Sequence, residues 1–177
     1  MKTRTWIMIF ALILAVIMAT SMSACGGIKE NRGSTLVYGS GDYDSINPIM
    51  NEHCEIKHLL FDSLVKRDGQ GTLVASLAEG WGYDPETLTY TFRLRSDVKW
   101  HDGEPFTAED VKFTIEAIMD PANGSENYPN YEEVAEIRVL SDTEIAFVLS
   151  EPNFAFLDYM TMSILPEHKL RGEDLWE

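Results

Sequence analysis

Only two cysteines occur in the 177 residues, at positions 25 and 54. Two thiols close at most one bridge, so no disulfide framework holds this chain together. Basic residues are also scarce, 14 Lys and Arg against 29 Asp and Glu. A balance of that sign excludes a nucleic-acid partner, whose phosphates demand cationic surfaces, and a polybasic membrane-binding face. It bears on solubility and self-repulsion rather than on fold. Internal repeats and low-complexity tracts are absent, which sets aside repeat architectures and biased linkers.

One long apolar run is present, at the start. Lys2 and Arg4 form a short positive flank, no charge occurs from Thr5 to Gly27, and Trp6 to Ala19 is almost wholly apolar. This pattern reads as a secretory signal peptide over 1–24, to be set aside before fold reasoning. Met22-Ser23-Ala24-Cys25-Gly26 resembles a bacterial lipobox, which implies cleavage before Cys25 and diacylglycerol on its thiol. That pattern prefers Leu where Met22 stands, and Met keeps the apolar character and size. An uncleaved anchor is the alternative, because about 20 apolar residues cross a bilayer and Thr20, Ser21 and Ser23 only dilute the end of the run. Either way the remainder is expected to be exported and tethered at the outer face of a bacterial cell membrane. Loss of Lys2 and Arg4 leaves 12 basic residues against 29 acidic ones, a formal charge of −17.

Residues 25–34 are rich in Gly and polar groups and lack periodicity, as a flexible tether does. Residues 35–177 are long enough for one core. Thr35 to Ser40 is expected to be a strand, followed by a turn-rich loop from Gly41 to Pro48. Between Asn51 and Leu64, Ile56, Leu59, Leu60 and Leu64 recur at helical spacing, with Asn51 as the expected cap. Tyr90, Phe92 and Leu94 alternate with Thr89, Thr91, Arg93 and Arg95, the period of a half-buried strand, and Asp84-Pro85-Glu86-Thr87 supplies the turn before it. A second hairpin has Ile137 and Val139 on one arm, Ser141-Asp142-Thr143 at its turn and Ile145, Phe147 and Leu149 on the return. Between these strands, Thr107 caps a helix with Glu109 and Asp110 in its first turn. Val111, Ile115 and Ile118 form its buried stripe, and Asp120-Pro121 ends it. Strands and helices mixed without regular alternation predict an α+β architecture.

Four of these segments carry a resemblance. Leu60-Phe61-Asp62-Ser63-Leu64-Val65, Leu77-Ala78-Glu79-Gly80-Trp81, the strand at 90–95, and Val98-Lys99-Trp100-His101-Asp102-Gly103-Glu104-Pro105-Phe106-Thr107-Ala108-Glu109-Asp110-Val111 are similar, in order and spacing, to family 5 extracellular solute-binding proteins. Ile164-Leu165-Pro166-Glu167-His168 extends the likeness. The resemblance implies a type II, flytrap-like binding fold of two lobes, of which 35–177 would be an incomplete first lobe. It implies a monomeric lipoprotein that captures peptides and delivers them to the permease subunits of an ABC importer, with no cofactor and no enzymatic step. Nickel or another small solute is the alternative ligand within the family. One lobe does not enclose a ligand, so residues 25–177 alone are expected to hold a peptide weakly.

Family likeness also implies that the loop after the first strand faces the cleft between the lobes. Asp42 and Asp44 there are candidates to meet a ligand ammonium group, and Tyr43 to pack on a ligand side chain; an ordinary Asx-rich turn is the plainer reading. Cys54 and His58, four apart, would share a helix face as metal ligands often do. Two ligands do not make a closed site, and Cys54 equally suits a small core position, so no metal site is assigned. His101 beside Asp102 offers half of a catalytic triad, yet no nucleophile motif accompanies it, and a tight turn with Gly103 is the expected role. An exported hydrolase or a surface interaction module is the reading from another class, to be separated by whether a bound peptide is returned intact.

Overall fold

The structure, a computed structural model, describes residues 46–50 and 56–175, all within the unit Gly39–Glu177. The strand expected at 35–40, the tether, Cys25 and the cap at Asn51 lie outside these residues. The described elements are α1 (Lys57–Leu60), β1 (Val65–Arg67), β2 (Leu73–Ala75), β3 (Ala78–Asp84), β4 (Thr89–Leu94), α2 (Ala108–Met119), β5 (Val134–Ser141), β6 (Glu144–Leu149), α3 (Phe156–Tyr159) and α4 (Glu167–Leu170). Short 3-10 turns cover Pro121–Asn123 and Tyr128–Tyr131. Among them no helix is long and apolar enough to cross a membrane.

Both expected hairpins form, and they merge. β4 pairs antiparallel with β3 on one side and with β6 on the other, giving a four-stranded sheet ordered β3-β4-β6-β5. Period-2 alternation puts Tyr90, Phe92 and Leu94 on the face shared with Ile145, Phe147 and Leu149, all at most 5% exposed. Phe92 meets Phe147 edge-on, ring centroids 5.9 Å apart. Helix α2 lies against β5 and β6 and brings in Val111, Ile115 and Ile118, at most 1% exposed. Burial of each such side chain is worth about 1.5–3 kcal/mol. Trp81 and Trp100 are half-buried and pack against the edge of this core.

The helix read from Asn51 to Leu64 ends at Leu60. Phe61 is already extended, with φ −126° and ψ 152°, and Ser63 pairs with Ser163 in an isolated bridge. The Ile164 N–H donates to the Asp62 carbonyl at 2.9 Å. Pairing with this distant segment outweighs helical periodicity, so Leu64 is fully buried outside the helix while Leu59 and Leu60 are 50% and 41% exposed.

Candidate functional site

The 98–111 segment is a turn leading into a capped helix. The Gly103 N–H donates to the Trp100 carbonyl, the Trp100 N–H to that of Glu104, and the Phe106 N–H to that of Val98, at 2.9, 2.8 and 3.1 Å. Gly103 sits at φ +97°, a region where a Cβ is strained. Thr107 and Asp110 form a capping box, the Asp110 Oδ2 accepting the Thr107 N–H at 2.8 Å. The same carboxylate, 3% exposed, accepts the Trp100 indole N–H at 3.2 Å and the Glu167 backbone N–H at 2.9 Å. Aspartate rather than the longer glutamate at this position lets one group serve helix, turn and distant loop together.

His101 and Asp102 do not act as a pair. The Asp102 Oδ2 lies 2.8 Å from His168 Nε2 and 2.9 Å from Lys169 Nζ, contacts that hold its carboxyl well below the usual carboxylate range, the His168 bond contributing most. This contact spans 66 residues and no local spacing signals it. A cavity of about 230 Å³ beside it is lined by Leu60, Phe61, Trp100, His101, Asp102, Pro166, His168 and Lys169. No hydroxyl or thiol stands among them, so the contact is a clip between α4 and the turn.

A different cavity, about 280 Å³, has the mixed lining that a polar solute requires. It is bounded by α1 through Lys57 and His58, by Asn127, Asn130 and Tyr131, and by the segment from Asp158 to Ser163. Its floor is aromatic: Tyr131 is 1% exposed, donates its hydroxyl hydrogen to the Tyr159 carbonyl at 2.7 Å and packs on the Phe156 ring. Burial pushes the Tyr131 hydroxyl well above the usual tyrosine range. Asn127 is 4% exposed; its Oδ1 accepts from the Asn130 amide at 3.5 Å, while its Nδ2 is buried with no hydrogen-bond partner among the described residues. Such an orphan donor costs about 1–3 kcal/mol unless something pairs with it.

Asp42, Tyr43 and Asp44 lie outside the described residues, as does Cys54. The chain just after them is anchored: Ile49 is fully buried and its carbonyl accepts the Ser125 hydroxyl at 2.6 Å, while Ser125 Oγ accepts the Asn127 N–H at 3.3 Å. Asn127 escaped the sequence reading because a single asparagine in a turn carries no periodic or motif signal. Among the described residues no three His, Cys, Asp or Glu side chains converge to hold a metal.

The model of bacterial extracellular solute-binding proteins, family 5, middle region, matches residues 72–176. A protein of Brucella ovis named for peptide binding in an ABC transporter is 37% identical over 112 residues, 62% of this chain and 21% of its own length. YejA of Agrobacterium fabrum, named as a peptide-binding protein, is 35% identical over 152 residues, 81% of this chain and 24% of its own. The crystal structure of NikZ from Campylobacter jejuni in complex with Ni(L-His) matches with a TM-score of 0.75 at 36% identity, covering 78% of this chain and 28% of that one. The chain therefore spans about a fifth of the length of the curated relatives it matches first, and its mixed α and β architecture is a fragment of their binding fold.

Proposed function

The chain belongs to the family 5 bacterial extracellular solute-binding proteins, and from that premise we propose that it captures peptides for uptake by an ABC importer. The observation that carries the proposal is the polar cavity at Asn127. Its unpaired amide N–H suits a peptide carbonyl, and the Tyr131 and Tyr159 rings beside it suit an apolar side chain. Names of the relatives from Brucella and Agrobacterium support peptide as the ligand. Binding, not turnover, is the activity, and the permease subunits are the partners. Export by the 1–24 segment, lipid attachment at Cys25 and a monomeric state complete the reading, with Asp42, Tyr43 and Asp44 as further contacts and 35–177 as part of the first lobe.

Ligand-observed NMR with a synthetic tripeptide library tests it, since saturation transfer reads weak binding. Peptides are expected to bind, to be returned intact, and to bind about tenfold more weakly to Asn127→Leu, the loss of one buried matched donor. A chain that binds no peptide, or that cleaves one, sinks the proposal. The likeness to NikZ bound to Ni(L-His) favours nickel as the second reading, which holds if the Ni–histidine complex binds and peptides do not.

A further inference from the structure

Seven asparagines occur in the chain, and only Asn123 is followed by glycine. Asn127, Asn130 and Asn153 each precede an aromatic residue. The Asn123–Gly124 bond closes the 3-10 turn Pro121–Asn123, just past the end of α2. Gly124 is exposed and Asn123 half-buried, and the glycine takes the left-handed conformation at φ +57°. Its N–H reaches the Pro121 carbonyl at 3.3 Å, a long bond at the end of a very short turn, which opens readily. No Cβ then screens the glycine nitrogen. The Asn123 side chain meanwhile finishes the helix. Its Nδ2 donates to the Ala117 carbonyl at 2.9 Å, whose helical donor would be Pro121, a residue with no N–H. The last turn of α2 holds no basic residue. Two residues on, the Ser125 hydroxyl donates to the Ile49 carbonyl and its Oγ accepts the Asn127 N–H, so the wall of the polar cavity begins here.

We infer that Asn123–Gly124 is a site of spontaneous modification, at which the chain converts its own asparagine to aspartate and isoaspartate. The Gly124 nitrogen gives its proton to hydroxide and attacks Asn123 Cγ. The new C–N bond closes a succinimide ring as the Cγ–Nδ2 bond breaks, and ammonia leaves with a proton from water. Water then opens the ring. Opening at Cγ leaves aspartate, whereas opening at the backbone carbonyl leaves isoaspartate, with the main chain routed through the side chain. The net change is amide and water to acid and ammonia, without oxidant or reductant. Either product removes the donor to Ala117. Either also sets a carboxylate at the negative end of the helix dipole, where that charge is disfavoured and Asp120 already stands. Isoaspartate further lengthens the backbone just before Ser125. The modification therefore loosens α2 from the wall that carries Asn127.

The test incubates the folded full chain at mildly alkaline pH and follows it by peptide mapping with mass spectrometry. Position 123 is expected to convert faster than Asn127 or Asn130, to release an equivalent of ammonia, and to speed up as hydroxide rises. Conversion no faster there than at the other two, or only once denaturant is added, overturns the inference. Asn123→Gln keeps a donor amide but closes its larger ring far more slowly, so conversion of that peptide should nearly stop; undiminished conversion overturns the inference too. Asn123→Asp stands for the product. It is expected to lower the melting temperature by about 3 °C, the joint effect of a lost bond and an adverse charge at the helix end. An unchanged melting temperature overturns the loosening of α2. None of these readouts involves a solute, so they stand or fall apart from peptide binding.

Discussion

Asp110 accepts the Glu167 backbone N–H at 2.9 Å although 57 residues separate them. The carboxylate that caps α2 thereby also fixes the start of α4 and the Trp100 ring. Asp110→Ala strands three donors, at least one of them the cap of a helix that carries the core stripe. A cap lost costs about 1 kcal/mol and a buried donor left unpaired about 1–3 kcal/mol. Denaturant unfolding should show a loss of about 3 kcal/mol, with Trp fluorescence shifted to the red in the folded state. A loss no larger than that of a surface substitution would refute the hub.

Gly103 and Gly82 separate backbone strain from crowding. Neither has an atom within 4 Å of a built Cβ, but only Gly103 has a positive φ, +97°. Gly103→Ala should cost about 1–3 kcal/mol through backbone strain alone. Gly82→Ala, in β3, should be neutral or stabilise by up to about 1 kcal/mol through the unfolded chain. Paired thermal melts of the two variants decide it, and equal shifts would contradict the assignment.

Local patterns carried as far as local forces act. Alternation at 89–94, the Asp84 turn and the capped stripe of α2 were legible because each is set by neighbours two to four residues away. The junction of β4 with β6, which makes one sheet of two hairpins, has no local signature. The end of α1 at Leu60 was misread for the same reason, since the Ser63 bridge to Ser163 is invisible to a helical period. The family resemblance lay in the turn and cap at 98–111, which are structural, while the setting of Asn127 depends on contacts between distant segments.

The clip at Asp102 makes stability depend on acidity. His168 first, then Lys169, depress the folded carboxyl below its ordinary value of 3.8. A depressed acid contributes stability that is fully present above the unfolded value and is lost as pH falls through the folded one. Unfolding midpoints of the unmodified chain should therefore fall below about pH 4. Asp102→Asn should be less stable at neutral pH, and the two curves should converge as the pH drops further. Parallel curves would mean that the contact contributes nothing to the native state.

Tyr131 sets the opposite limit. Its hydroxyl is buried and pushed up by desolvation, with Tyr159 adding to the rise, so the folded protein resists its ionisation. A raised value gives stability that is complete below the unfolded tyrosine range and is lost as pH climbs above about 10. Tyr90, also raised by burial and by Tyr83, adds to the same slope. Tyr131→Phe removes the bond to the Tyr159 carbonyl and should cost about 1 kcal/mol at neutral pH. Above pH 10 that variant should lose stability more slowly than the unmodified chain, because no buried phenol remains at 131 to ionise on unfolding. Ultraviolet titration checks the cause directly. One tyrosine fewer should ionise in step with unfolding in the variant, and an unchanged count would place the 131 hydroxyl in solvent rather than under the cavity floor.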